Sequence, residues 1–397
     1  MSLGRIRVAL CAVFAAHGFM FASWAVRVPA VKEQAGASPA ALGLALLALS
    51  AGAVATMLLA GALCRRFGSP RVTAAACALL SATLALPALA RSAVALGLLL
   101  AVFGAAYGCL NVAMNSVAVD LVAALRRPVM PGFHAAWSFG GLAGAGLGGL
   151  LAPHLSPEPH LLLIALTGLL ISVTAGRVLL SGASFLRETA ASAAPSTISP
   201  GTTAPGTTAP GPAWRRTGRT VGLFGLIALC AAYDEGAIGD WGALHLRQDL
   251  GASAGLAAAG YAAFALAEAC GRLSGTALLQ RFGRTWVLTA GGLTACAGML
   301  VAALAPALWL ALAGFAATGL GLANLFPTVI ARAGLLAGAT GVALTSMLGY
   351  TGFLLGPPAI GFLASEAGLR TGLTTLAFLA LTAAAIAYAT RDQPQVS

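Results

Sequence analysis

Tyr233, Asp234, Glu235, Asp240 and Trp241 stand close together in an otherwise apolar stretch. Two adjacent carboxyls in a low-dielectric medium cannot both stay ionised, because burial and like charge each penalise the second anion. One of them can then take up and release a proton, which is the chemistry of a proton-coupling group. Asp234 and Glu235 are the candidates. Asp240 reads instead as a structural partner for Arg27 or Arg247. Toward the N-terminus, His17, Trp24 and Arg27 share one helical face. His17 is a candidate partner for the coupled proton, and Trp24 and Arg27 are candidates for gripping a solute. Arg27 reads equally well as a snorkelling cation or a clamp on the outer loop. Tyr107, Asn111 and Asn115 recur at helical spacing. A phenol and two amides suit a hydroxylated or otherwise polar ligand, and equally suit glue between helices. Tyr233, Trp241 and Asn324 complete the substrate-binding candidates. Glu268 and Arg272 are spaced for an ion pair one helical turn apart, which fits an inner gate. His134, Trp137 and Ser138 open another apolar segment, where His134 could sense pH or tether a loop.

These residues need a scaffold, and the composition names it. The chain has 397 residues, 59% hydrophobic and 8% charged, with a mean hydropathy of +0.90. Its charges fall between about twelve apolar segments, each near the ~20 residues that cross a bilayer as a helix. Backbone in lipid must satisfy its own hydrogen bonds, so the spans are helices and the fold class is all-α. The expected spans are 8–28, 39–62, 71–90, 93–122, 132–152, 160–181, 219–246, 253–279, 284–304, 307–331, 339–364 and 369–390. The run from Val8 is too long for a signal-peptide core and reads as the first span. The net charge of +11 does not form a basic domain, so nucleic acid is excluded as a partner. Most of the basic residues collect in alternate loops, which puts both termini in the cytoplasm of a plasma (inner) membrane. The strong preference for arginine over lysine, with abundant Ala and Gly, points to a bacterium.

The chain divides into 1–183, a linker at 184–218 and 219–397. The linker carries SPGTTAPGTTAPGP, too poor in apolar bulk to fold, and is expected to be disordered. Arg215, Arg216 and Arg219 beside it are placed to meet anionic headgroups. The outer segments resemble each other. Arg66-Phe67-Gly68 returns as Arg281-Phe282-Gly283, and Gly140, Gly144 and Gly149 return as Gly352, Gly356 and Gly361. His17 and Trp24 are matched to Asp234 and Trp241, which would set His17 opposite Asp234. Such a repeat implies two six-helix bundles with a site between them. The seven cysteines have no metal spacing and read as small buried hydrophobes. No P-loop, metalloprotease motif or nucleophile triad is present, so the chain is not expected to be an enzyme and needs no cofactor or metal.

Twelve spans, a central cytoplasmic loop and short basic loops after spans two and eight resemble the major facilitator superfamily over essentially the whole chain. Its loop signature survives as Gly61-Ala-Leu-Cys-Arg-Arg-Phe-Gly68, where Arg65 replaces the usual Asp. The second copy has Gln280 there, which leaves Arg66 and Arg281 as gating candidates. Ser23-Trp-Ala-Val-Arg-Val-Pro29, Asn111-Val-Ala-Met-Asn115, Arg127-Pro-Val-Met130 and Glu235-Gly-Ala-Ile-Gly-Asp-Trp241 resemble a bacterial subgroup near the fucose-permease-like facilitators. The Gly-Pro motif of facilitator efflux pumps is incomplete, since span five lacks a proline before Pro153. The resemblance implies that spans one, four, seven and ten line the cavity and that the protein is a monomer. The expectation is a proton-coupled secondary transporter, a symporter, for a small polar and sugar-like solute. The alternatives are an efflux antiporter for drugs or metabolites and a non-transporting sensor signalling through the linker.

Overall fold

The computed structural model describes residues 2–152, 154–193 and 212–391. Every regular element among them is helical. The order is α1 (Leu3–Gln34), α2 (Pro39–Phe67), α3 (Ser69–Thr83) extended by a 3₁₀ turn (Leu86–Leu89), α4 (Ala93–Leu125), α5 (Met130–Leu151), α6 (Pro157–Ser181) and α7 (Ala183–Ala193). The second half holds α8 (Pro212–Gln248), α9 (Ala254–Leu304), α10 (Leu308–Leu322), α11 (Leu325–Ala367) and α12 (Leu369–Ala389).

Nine stretches among the described residues are long and apolar enough to cross a membrane. Two of them are far longer than one bilayer needs. Ala259–Leu304 folds at Gly283 (φ 77°), and Leu308–Ala367 folds at Ala337 and Gly338. Each therefore contributes two crossings. α5 is diluted by Gly140, Gly141, Gly144, Gly146, Gly148 and Gly149 and falls below that hydropathy, yet it is packed into the bundle. Counting it gives the expected twelve spans. Spans one to six are α1 to α6, span seven is α8, and spans eight and nine are the arms of α9. Span ten is α10 with the first arm of α11, span eleven is the second arm of α11, and span twelve is α12.

The stretch expected as a disordered linker is helical at both ends. Its first part, in α7, is built of good helix formers and seats Leu186 (2% exposed) beside α4. Its last part is the start of α8, and residues 194–211 lie outside the described residues.

Each half has its own apolar core, and the halves repeat one packing scheme. In the first, α1 packs on α5, α2 on α4 and α3 on α6; in the second, α8 packs on α11 and α9 on both α10 and α12. Small residues set the closest approaches. A Cβ on Gly140 or Gly144 would fall on the carbonyl oxygens of Ala15 or Phe19 in α1. A Cβ on Gly352 or Gly356 would fall on those of Leu229 or Tyr233 in α8. These contacts pair Ala15 with Leu229 and Phe19 with Tyr233. The register therefore sits about one helical turn from the sequence match. Met20, not His17, is the counterpart of Asp234.

The halves meet where α11 crosses α2 and α4 and where α5 crosses α9. Arg65 bonds the Thr340 hydroxyl, and the Thr276 hydroxyl donates to the Pro128 carbonyl at 3.1 Å. Both contacts lie at the end where α2 and α4 finish and α5 begins, and they close that end of the groove between the bundles.

Candidate functional site

Above that closure lies a cavity of about 130 Å³, similar in scale to protein cavities that hold one small ring. Its wall draws on both halves: Phe14 and Phe21 from α1, Tyr107, Asn111 and Met114 from α4, and His134 and Trp137 from α5. Glu235 comes from α8, Arg272 from α9, and Phe326, Tyr350 and Phe353 from α11.

The charged part of the wall is one cluster around Arg272. Its guanidinium bonds Glu268 at 2.6 Å, one turn earlier on the same helix, as the sequence spacing predicts. Its other terminal nitrogen donates to the Ser138 hydroxyl at 2.6 Å, across the boundary between the halves. Glu235 lies 3.8 Å away, inside ion-pair range but beyond a hydrogen bond, with its side chain 24% exposed. Arg272 thus joins a carboxylate on the cavity wall, a buried carboxylate and the opposite bundle.

The polar remainder of the wall is a chain of hydrogen bonds. Asn111 donates to the Tyr350 hydroxyl at 3.4 Å, and its own Oδ1 is buried without a partner. The Asn115 amide nitrogen returns to the Asn111 carbonyl at 2.8 Å, and its Oδ1 faces His134 Nε2 at 3.3 Å. That oxygen can only accept, so His134 donates through Nε2. Tyr107 stands edge-on to Tyr350 with ring centroids 6.1 Å apart.

Other expected residues sit away from this wall. His17 is fully buried; it accepts from Trp137 Nε1 at 3.1 Å and stacks on Tyr107 at 4.0 Å. It is a backing residue behind the cavity, and it does not face Asp234. Asp234 is 1% exposed, points into the second bundle beside Cys230 and Cys296, and has Oδ1 without a partner. Consecutive helical residues point about 100° apart, so only Glu235 of that pair reaches the cavity. Trp24 is buried against Phe103. Arg27 donates to His160 Nδ1 at 2.7 Å and to the Leu155 carbonyl at 2.9 Å, tying α1 to the start of α6. Tyr233 packs under Gly356 and Trp241 under Gly361, both at the α8–α11 contact. Asn324 bonds the Gly271 carbonyl at 3.0 Å and joins α9 to α11. Arg66 and Arg281 lie over their neighbours Phe67 and Phe282 at 5.2 and 5.3 Å, an exposed matched pair.

Sequence reasoning passed over Tyr350 and His160. Tyr350 is one of only five tyrosines in the chain and sits within an apolar span, a signal that could have found it. His160 gave none, because its role depends on Arg27 arriving from another helix.

The comparisons agree with this architecture. The sequence matches the Major Facilitator Superfamily profile over residues 8–234 and 224–397. It is 32% identical to an uncharacterised MFS-type transporter of Yersinia pestis, over 94% of this chain and 92% of that one. The fold resembles the E. coli fucose:proton symporter FucP (TM-score 0.70, 19% identity, 98% of each chain). It also resembles the human organic anion transporter MFSD10 (TM-score 0.75, 16% identity, 98% of this chain and 100% of that one). This multi-pass membrane protein belongs to the major facilitator superfamily.

Proposed function

We propose that the protein moves a small polar solute across the bacterial inner membrane by alternating access, with Glu235 carrying a coupled proton. The observation that carries this reading is the Glu235–Arg272–Ser138 arrangement. A carboxyl on the solute cavity stands beside Arg272, which bonds across to Ser138 of the other bundle, so its charge bears directly on a contact that must break when the bundles rock. The likeness to a fucose:proton symporter agrees with proton coupling. Basic loops in the cytoplasm make the closed end the inner one, and the groove then faces outward. The protein acts as a monomer, with 1–183 and 219–397 as the rocking units.

Reconstitution into liposomes with an internal pH indicator tests this. Addition of sugars, polyols, organic acids or amines in turn is expected to give one solute-driven pH change. Glu235→Gln is expected to abolish that change. Solute-driven proton movement of wild-type size in Glu235→Gln would refute the assignment.

A further inference from the structure

We infer that His17 is a positioning residue for the solute site: its hydrogen bond holds the Trp137 indole as a wall of the cavity and keeps that ring from filling the cavity itself. This rests on the cavity being the solute site and goes further by naming the residue that keeps it open.

Three side chains from three helices form one unit at the wall. Phe14, His17 and Phe21 recur on α1 at spacings of three and four, so they share a face. Phe14 and Phe21 reach the cavity. His17 points the same way, yet it is fully buried, because Trp137 from α5 and Tyr107 from α4 cover it. Trp137 Nε1 donates to His17 Nδ1 at 3.1 Å, and the Tyr107 ring stacks on the imidazole at 4.0 Å. The Tyr107 side chain also lies beside the indole. An indole N–H can only donate. His17 therefore accepts through an unprotonated Nδ1, and the ring is neutral with its hydrogen on Nε2.

Backbone contact fixes where Trp137 is anchored but not where its ring points. A Cβ on Gly18 would fall on the Trp137 carbonyl oxygen, and one on Gly140 would fall on that of Ala15. α1 and α5 thus touch on both sides of this residue, while the indole keeps two side-chain torsions. Its N–H needs an acceptor in any orientation, because a buried donor left unsatisfied is costly. His17 is the acceptor behind the wall. Without it, the acceptors within reach are Tyr107, itself on the cavity wall, and whatever fills the cavity. An indole that turned that way would enter a chamber of about 130 Å³, the scale that holds one small ring. The protein's own side chain would then compete with the solute. One hydrogen bond decides whether Trp137 is wall or plug, and His17 makes it without touching the solute.

Self-occupancy has a kinetic signature. It lowers the fraction of protein able to bind, which weakens apparent affinity by that fraction and leaves turnover of the loaded protein alone.

Two measurements on the full-length protein test this. With isotope-labelled tryptophan, the Trp137 indole N–H signal, assigned by its absence in Trp137→Phe, is followed by magnetic resonance after transfer into deuterated water. It should exchange about tenfold or more faster in His17→Phe, which keeps a ring to stack on Tyr107 but offers no acceptor. In proteoliposomes, the panel of sugars, polyols, organic acids and amines supplies the solute that drives the pH change. Its half-saturation should rise about tenfold or more in His17→Phe, with the maximal rate within about twofold. His17→Asn, whose amide oxygen falls near the place of Nδ1, should return half-saturation and exchange to within about threefold of wild type. In a Trp137→Phe background there is no N–H to hold, and His17→Phe should add nothing. Unchanged exchange or unchanged half-saturation in His17→Phe, or an equal rise in the Trp137→Phe background, would overturn the inference. Wild-type half-saturation in both Trp137→Ala and Asn111→Ala would overturn instead the cavity reading on which it rests.

Discussion

Asp234 and Glu235 share a chemistry and a depth but not a direction, and direction decides their roles. Asp234 faces the interior of the second bundle, where charging a buried carboxyl with an unpartnered oxygen costs several kcal/mol. Glu235 faces the cavity and Arg272. Asp234→Asn is therefore expected to preserve substrate-driven proton movement to within a few-fold. Proteoliposome pH traces of Asp234→Asn and Glu235→Gln side by side would check this; equal loss in both would mean the coupling is shared. Arg27 makes a contrasting case. Its guanidinium bonds a buried histidine and a loop carbonyl, so truncation strips partners from groups shielded from water. Arg27→Ala is expected to cost about 2–3 kcal/mol of stability, seen as a lower melting temperature in detergent, with no change in proton stoichiometry. A loss of solute affinity at unchanged melting temperature would return Arg27 to the substrate site.

Between elements, close approach is set by glycine, and the repeat makes the consequence testable twice. Gly140 and Gly352 occupy equivalent places, each against a carbonyl of the first helix in its bundle. Alanine at either is expected to push the helices apart and destabilise the protein by about 1–3 kcal/mol, with similar size in both halves. Gly146→Ala, with open space around it, is the control and should be near neutral. Thermal unfolding of the three variants would measure the difference. Much of this level was legible in the chain. The span count, the two Arg-Phe-Gly loops and the glycine rows follow from apolar length and small-residue spacing, and Gly68 and Gly283 both adopt positive φ there. Register was not legible. His17 and Trp24 resemble the spacing of Asp234 and Trp241, but side-chain type does not report which turn touches a neighbouring backbone. The same blindness hid Arg27–His160 and Arg272–Ser138, whose partners are supplied by other helices. Glu268–Arg272 was visible because both members lie on one helix.

For the whole molecule, rocking of the bundles requires that the closed end open, so the contacts there must be breakable. Arg65 to Thr340 is such a contact, a single exposed bond between α2 and the second arm of α11. It stands where the family's loop motif usually carries an acid, so this chain has exchanged a charge interaction for a neutral acceptor. Exposed hydrogen bonds of this kind contribute only about 0.5–1.5 kcal/mol. Arg65→Ala should then shift the balance between states and leave the fold intact. Fastening the contact should do the reverse. In a background without the seven native cysteines, Arg65→Cys with Thr340→Cys joined by a short bifunctional thiol reagent is expected to hold the groove in its present form. Flux should stop while solute binding from the open side persists, and a reducible linker should restore flux on cleavage. Full flux in the cross-linked protein would mean that this end does not move during transport, and the alternating-access reading of the cavity would fail with it.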